Sequence, residues 1–470
     1  MKLSILIPVY NERTVVRRCL EQVLASPLPE NMEREIIMVD DCSNDGTSDI
    51  LRALAAAHPE IHLYHNQVNQ GKGASIRNAV GYATGDFCLI QDADLEYDPS
   101  EYSKLLRPLL AGHADAVFGS RYLAADQMRV LPYWHTIINA TLTWISNMFS
   151  NLKLTDMETC YKVFRTDLLK SIPIRSDRFG IEPELTMKSA KRRFRVYEVP
   201  ISYHGRTYEE GKKIGWKDGV KALAVILRFW LIDDLYSEQY GGKLLHNLTG
   251  TPAYLAWIAD MIRPDLGDNV LEMSAGIGNL AGNLMTRRML YVAEESNPLY
   301  LHALRNRFLR TPNVQVGLEN YTGGGEGVCE ACFDTVLCLN TLEYADNPEE
   351  TLRAMTRFLI PGGKLVAMVP QSPSLFCAID RKLGHLRRFE AGKLVQSIEA
   401  SGLIVEKRRQ VNRTGALLWF VFGKVWGRAR VPRIVLKIFD KTVWLGRRFD
   451  GWLPWPGLSV FIVASKRALP

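Results

Sequence analysis

The chain has 470 residues, 47% of them apolar and 23% charged, with a formal net charge of +7. That length exceeds one ordinary core and points to two or three folded units, and the apolar share excludes disorder as the main state. The charge excess is too slight to argue for nucleic acid, yet it suits anionic substrates or an anionic membrane surface.

Met1-Lys2-Leu3 runs straight into an apolar strand ending at Pro8, too short for the core of a secretory signal. Strand-like runs follow at Leu3–Val9, Glu35–Val39, Ile61–His65, Phe87–Gln91 and Ala116–Phe118. Helix-period segments such as Val15–Ala25 and Thr47–Ala57 lie between them. This alternation predicts an α/β unit with a parallel sheet and helices on both faces. Asp, Asn and Gly gather at the strand C-terminal ends, the edge where such sheets bind ligands.

The polar stretch Ser237–Lys243, with Gly241-Gly242, marks a boundary. It gives a first domain over 1–236, a linker over 237–245 and a second domain over 246–470. The second alternates again, with strands at Asp268–Met273, Met289–Ala293, Val314–Gly317, Phe333–Leu339 and Lys364–Val369. No run reaches the roughly 18 apolar residues of a membrane-spanning helix. Ala222–Ile232 is interrupted by Arg228, and Gly415–Gly423 is followed at once by Lys424. The eight cysteines are scattered and read as thiols in a reducing compartment. Cys329-Glu-Ala-Cys332 lacks the second pair that a zinc site needs.

The densest chemical signal is Gln91-Asp92-Ala93-Asp94-Leu95-Glu96, just after a strand. Residues two apart in extended chain project to one side, so Asp92, Asp94 and Glu96 offer hard oxygens for Mg²⁺ or Mn²⁺ beside a diphosphate. Pro8-Val-Tyr10-Asn-Glu12 and Asp40-Asp41 close two earlier strands. Gly71-Lys72-Gly73 permits close backbone approach and places a cation for phosphate. Gly119-Ser-Arg121 adds another cation after a strand.

With Ile5–Glu12, Met38–Thr47, Asn69–Gly73, Gly119–Tyr122, Thr155–Phe164, Phe179–Glu184, Glu198–Tyr203 and Arg206–Lys213, these words resemble the family 2 glycosyltransferases of the GT-A fold. The dolichol-phosphate mannosyltransferase-like branch is the nearest in pattern, and the resemblance covers about residues 1–235. It implies inverting transfer from a nucleotide-diphosphate sugar to a polyprenyl-phosphate or glycan acceptor. Pro8, Tyr10, Glu12, Asp40 and Asp41 would hold the nucleoside. Asp92, Asp94 and Glu96 would hold metal and diphosphate. Arg121, Arg206 and Lys213 would face donor or acceptor phosphate, and Asp156 and Glu182 would line the sugar pocket. The catalytic set it implies is Asp92, Asp94, Arg121, Asp156 and Arg206.

In the second unit, Glu272-Met-Ser274-Ala-Gly276-Ile-Gly278 follows a strand and opens a helix. Glu295, at the end of the next strand, has the spacing of an acid that accepts ribose hydroxyls. Glu319 ends the following strand with reach to an adenine amine, and Asn340–Tyr344 gives a fourth strand a polar end. A nicotinamide-type Rossmann domain shares this outline. The Asn340–Tyr344 and Pro361-Gly-Gly words instead resemble class I methyltransferases over about residues 245–465. That resemblance implies S-adenosylmethionine held by Glu272, Ser274, Gly276, Gly278, Glu295, Glu319 and Asn340. Ser274, Glu295, Glu319 and Tyr344 stand where the family commonly has Gly, Asp, Asp and His. Gly384–Phe389 is a candidate acceptor-side motif.

From Trp419 to Trp455 eight cations interleave with aromatics against two acids, Asp440 and Asp450. Such a segment either covers the second unit or rests on an anionic membrane. The expectation is a bifunctional cytoplasmic enzyme, with possible peripheral contact at the inner membrane face and no nucleic-acid partner. Two alternatives stay open: an active glycosyltransferase with an inactive methyl-donor-binding regulatory domain, and a peripheral membrane scaffold.

Overall fold

Leu3, Ile5, Leu6 and Ile7 are wholly buried. A run buried on both faces belongs in the middle of a helix-covered parallel sheet, and that is where it lies. The computed structural model describes residues 1–123, 133–205, 216–232, 234–235, 248–309, 311–317 and 331–467. It divides into two units, Met1–Tyr240 and Gly241–Pro470. Arg206, Lys213 and Glu319 lie outside the described residues.

The first unit has seven strands: β1 (Lys2–Val9), β2 (Glu33–Asp40), β3 (Ile61–His65), β4 (Phe87–Ile90), β5 (Ala116–Ser120), β6 (Lys162–Arg165) and β7 (Val196–Pro200). Their order is β3-β2-β1-β4-β6-β5-β7. The direction of winding reverses between β1 and β4, and the acidic and glycine words follow the strands on either side of that reversal. The sheet is mixed, not parallel as the alternation predicts: β6 runs antiparallel to both β4 and β5. A buried lysine hides this strand from the apolar pattern. Lys162 has no exposure, and its Nζ donates to the carbonyls of Met157 (2.8 Å) and Thr159 (2.6 Å). Helices Tyr133–Ser150, Ile181–Lys191 and Trp216–Leu231 form a separate layer around Met157, Met187, Ile226 and Phe229.

The second unit repeats the principle with β8 (Asn269–Met273), β9 (Leu290–Ala293), β10 (Val314–Val316), β11 (Phe333–Leu339), β12 (Leu359–Pro370), β13 (Leu403–Val411) and β14 (Ser459–Lys466). The order is β10-β9-β8-β11-β12-β14-β13, with β14 antiparallel to both its neighbours. The last two strands are not among the sequence expectations. β13 is an edge strand whose Glu406-Lys-Arg-Arg409 run is charged, a common guard against edge pairing. Two apolar clusters cover the two sheet faces, one around Leu337 and Phe461, the other around Val336 and Ile462.

The basic aromatic segment forms a helix over Arg433–Phe449 that covers the helix Pro252–Ile262. The Phe439 ring lies 5.8 Å from that of Tyr254, and Asp440 accepts the Tyr254 N–H at 2.8 Å. No described helix is long and apolar enough to cross a membrane. Among the described residues six cysteines are free thiols, whereas Cys332 is disulfide-bonded, against the expectation of thiols throughout.

Two candidate active sites

The first site is assembled on the carboxyl ends of β1, β2 and β4. After β1, Asn11 adopts φ +52° and binds the loop after β2: its N–H donates to Ser43 Oγ (3.0 Å), and its Oδ1 accepts from Asn44 (2.9 Å). Glu12 N–H donates to Thr47 Oγ1 at 3.0 Å. Tyr10, at the edge of this seam, is exposed. Asp40 takes hydrogen bonds from Ser43 and Ser48 and faces His65. Burial pushes its pKa up, but those bonds outweigh burial and hold the carboxyl below its usual range.

Asp41 is committed differently. Its oxygens accept from Asn66 Nδ2 (2.8 Å) and from the N–H groups of Gln70 (2.8 Å) and Gly71 (2.7 Å). It shapes the turn that carries Lys72, a positioning task the nucleoside role did not anticipate. Gly71 is required there: it sits at φ +98°, and a Cβ would come 2.5 Å from the Asp177 carbonyl oxygen.

Lys72 joins two distant acids. Its Nζ lies 2.8 Å from Asp92 Oδ1, 3.1 Å from Asp92 Oδ2 and 2.8 Å from Glu182 Oε1. Burial lowers the lysine's pKa, but Asp92 and Glu182 outweigh it, so the ammonium is held well above its usual value. Glu182 Oε2 has no hydrogen-bond partner.

Beyond Asp92, Asp94 Oδ1 accepts the Glu96 N–H at 3.1 Å, and Glu96 Oε2 accepts from Tyr203 Oη at 2.7 Å. The Arg121 guanidinium lies 5.0 Å from the Tyr203 ring. It is buried against Asp156, with Nε–Oδ2 at 2.6 Å and Nη2–Oδ1 at 2.8 Å. Asn139 touches both partners. This bidentate pair spends both charges on each other and locks the end of β5 to the segment before β6.

Glu158 escaped the sequence reading. Its Oε1 is buried without a partner, and burial, reinforced by Glu182, pushes its pKa up to about 8. Nothing local distinguishes a glutamate that tertiary packing will bury.

Among the described residues no group of three or more His, Cys, Asp or Glu side chains gathers to hold a metal ion. The carboxylates after β4 still have the right donor chemistry. Mg²⁺ is commonly held by one or two carboxylates and completed by substrate phosphate, not caged by protein alone. Asp92 and Asp94 meet that lesser demand.

The second site lies after β8 and β9. Ser274 is held at φ +54°, a left-handed conformation costing a non-glycine residue about 1–2 kcal/mol. Gly276 and Gly278 follow at φ +60° and +75°. A Cβ on Gly278 would stand 2.7 Å from Leu304 Cδ1 and 2.7 Å from Phe308 Cε2. Glu295 ties this turn down: Oε2 accepts Gly276 N–H and Oε1 accepts Asn297 N–H, both at 2.8 Å. An ionised carboxylate has about four acceptor sites, so two bonds leave it capacity for a ribose diol. The cradle and its acid therefore fit an adenosyl group.

Glu272 is buried and accepts from Tyr291 Oη at 2.7 Å, and burial pushes its pKa up to about 7. It lies beneath the turn. Asn340, exposed at φ +53°, stands at the end of β11. Three residues on is Glu343, wholly buried, with neither carboxyl oxygen hydrogen-bonded and its pKa pushed by burial up to about 8. The sequence reading passed over it inside the Asn340–Tyr344 word. The Gly384–Phe389 motif is anchored on Asp380, which faces His385 Nδ1 (3.0 Å) and accepts from Arg388 Nε (2.9 Å) and Trp419 Nε1 (3.0 Å).

The chain belongs to the family 2 glycosyl transferases, whose model matches residues 4–172. It also carries a methyltransferase domain, matched over residues 271–367. It is similar to the undecaprenyl-phosphate mannosyltransferase of Micrococcus luteus, with 30% identity over 234 residues, 48% of this chain and 92% of the relative. The polyprenol monophosphomannose synthase of Mycolicibacterium smegmatis is 30% identical over 219 residues, 45% of this chain and 80% of the relative. Among solved structures it resembles glucosyl-3-phosphoglycerate synthase from Mycobacterium tuberculosis, at 18% identity and a TM-score of 0.39, covering 49% of this chain and 80% of that one.

Proposed function

We propose that the first unit transfers a sugar, with inversion, from a nucleotide-diphosphate donor to a polyprenyl phosphate on the cytoplasmic side of a membrane. The second unit, on this reading, transfers a methyl group from S-adenosylmethionine to a glycan or lipid acceptor. The observation that carries the first half is Lys72 bridging Asp92 and Glu182 at the sheet's reversal point. The names of the two mannosyltransferase relatives support the acceptor.

Bound at Asp92 and Asp94 with Glu96 beside them, Mg²⁺ or Mn²⁺ would neutralise charge on the departing diphosphate. This chain's own residues do the rest. Lys72 offers its ammonium to phosphate oxygens, and its two carboxylate partners fix its direction. Tyr10, Glu12 and Asp40 border the nucleoside side, while Glu182 and the Arg121–Asp156 pair border the sugar side. A phosphate acceptor is already anionic, so the transfer needs no general base. A glycan hydroxyl would need one.

In the second unit, the turn 274–278 and Glu295 would hold the adenosyl group and so fix the direction of the methyl. Methyl transfer then depends chiefly on positioning.

Melting curves of the full chain test both ligand assignments separately. A nucleoside diphosphate with Mn²⁺ should stabilise the first unit and S-adenosylhomocysteine the second, each by about 2.7 kcal/mol at a hundredfold excess over Kd. Glu295→Ala should remove only the second shift. Absence of any shift with S-adenosylhomocysteine in the unaltered chain contradicts the methyltransferase half.

A further inference from the structure

A helix that covers a core needs one apolar face. The helix Arg433–Phe449 carries apolar residues well beyond the part that its core covers. Its inner face is spent on the unit's own core, where Val443 is buried and Phe439 meets Tyr254, while Arg447 pairs with Asp260. On the opposite side, at helical spacing, Ile434, Ile438 and Leu445 stand exposed, flanked by exposed Trp444 and Phe449. Lys437, Lys441 and Arg448 share that outer side and are exposed too.

The pattern continues past both helix ends. Phe420, Val425 and Trp426 are exposed beside exposed Lys424 and Arg428, and Trp452 is 86% exposed. The two acids of this region face inward. Asp440 accepts the Tyr254 N–H, and Asp450 is buried, accepting from the N–H groups of Asn412 and Arg413. The outer side therefore combines aliphatic, aromatic and cationic groups with no exposed acid to balance them.

We propose that this outer side is a docking surface for an anionic lipid bilayer, with the helix lying flat in the headgroup layer. Its composition matches what that layer rewards: an aliphatic centre for the acyl boundary, tryptophans for the interface, and Lys and Arg for anionic headgroups. A nucleic acid would use the cations but gain little from Ile434, Ile438 and Leu445. A second copy would bring like charges together. The inference gives a location to the peripheral placement read above, and it stands whether or not either transfer reaction is assigned correctly.

Co-sedimentation of the full chain with phosphatidylglycerol–phosphatidylcholine vesicles, and with phosphatidylcholine alone, tests it. The chain should partition onto the anionic vesicles at low salt. The double variant Ile438→Asn/Trp444→Ala and the charge variant Lys437→Gln/Lys441→Gln should each lower that partition about tenfold or more. Trp452→Ala, outside the helix, should lower it less without touching the fold. Partition undiminished in all three variants overturns the proposal, since binding would then run through another surface, such as the exposed Trp134 and Trp144 of the first unit. Loss in the charge variant alone overturns insertion in favour of simple charge attraction. No vesicle binding, with variants that instead change the mass in sedimentation velocity, assigns the face to a second copy.

Discussion

Burial without a partner is the most informative property of single residues in this chain. Glu343 lies in the 3-10 turn Leu342–Tyr344 after β11, with no hydrogen bond to either carboxyl oxygen. Its pKa is pushed from the usual 4.5 up to about 8. Between those values the folded chain binds a proton that the unfolded chain has released, so stability falls as pH rises through that window. Glu343→Gln should flatten this slope and raise the melting temperature at pH 8 more than at pH 5, as calorimetry at the two pH values would show. Arg121 and Asp156 are the opposite case, a buried pair satisfied by each other. Arg121→Met should cost about 3–5 kcal/mol in urea melts, because it strands a buried carboxylate. A variant of native stability that only lost activity would make Arg121 a substrate contact instead.

At the scale of elements, the turn after β8 shows how tightly a glycine can be specified. Gly278 lies at φ +75° against Leu304 and Phe308 of the helix Pro298–Phe308. Gly278→Ala should destabilise the second unit by about 2–4 kcal/mol and weaken S-adenosylhomocysteine binding, both measurable by calorimetry. Elements of this kind were legible in the sequence because their chemistry is local. Asp92, Gly276 and Glu295 each sit within three residues of a strand end, and parallel strands bring those ends to one edge. Elements that depend on tertiary context were not legible. β6 carries a lysine that the packed sheet buries completely, its Nζ satisfied by the carbonyls of Met157 and Thr159 just before the strand. β13 is an edge strand whose charges mask its period. Glu158 and Glu343 look like surface glutamates until packing encloses them. The family resemblance gives Asp41 a nucleoside role, and its hydrogen bonds to Gln70 and Gly71, which shape the neighbouring turn, could not be read from its word alone.

For the whole molecule, two α/β units each place their chemistry where strand order reverses, β1 and β4 in one, β8 and β11 in the other. Each unit has its own sheet and its own site, so ligands of one should leave the other's melting transition in place. The central claim is sugar transfer to a lipid phosphate by the first unit. The most direct test incubates the full chain with labelled nucleotide-diphosphate sugars, a short polyprenyl phosphate and Mn²⁺, and counts label extracted into butanol. Label should enter the organic phase with at least one donor and fall by roughly 100-fold or more in Asp92→Asn and Asp94→Asn, the scale expected when charge stabilisation of the departing group is lost. Undiminished transfer in those variants, or no lipid-borne label with any donor, would contradict the account.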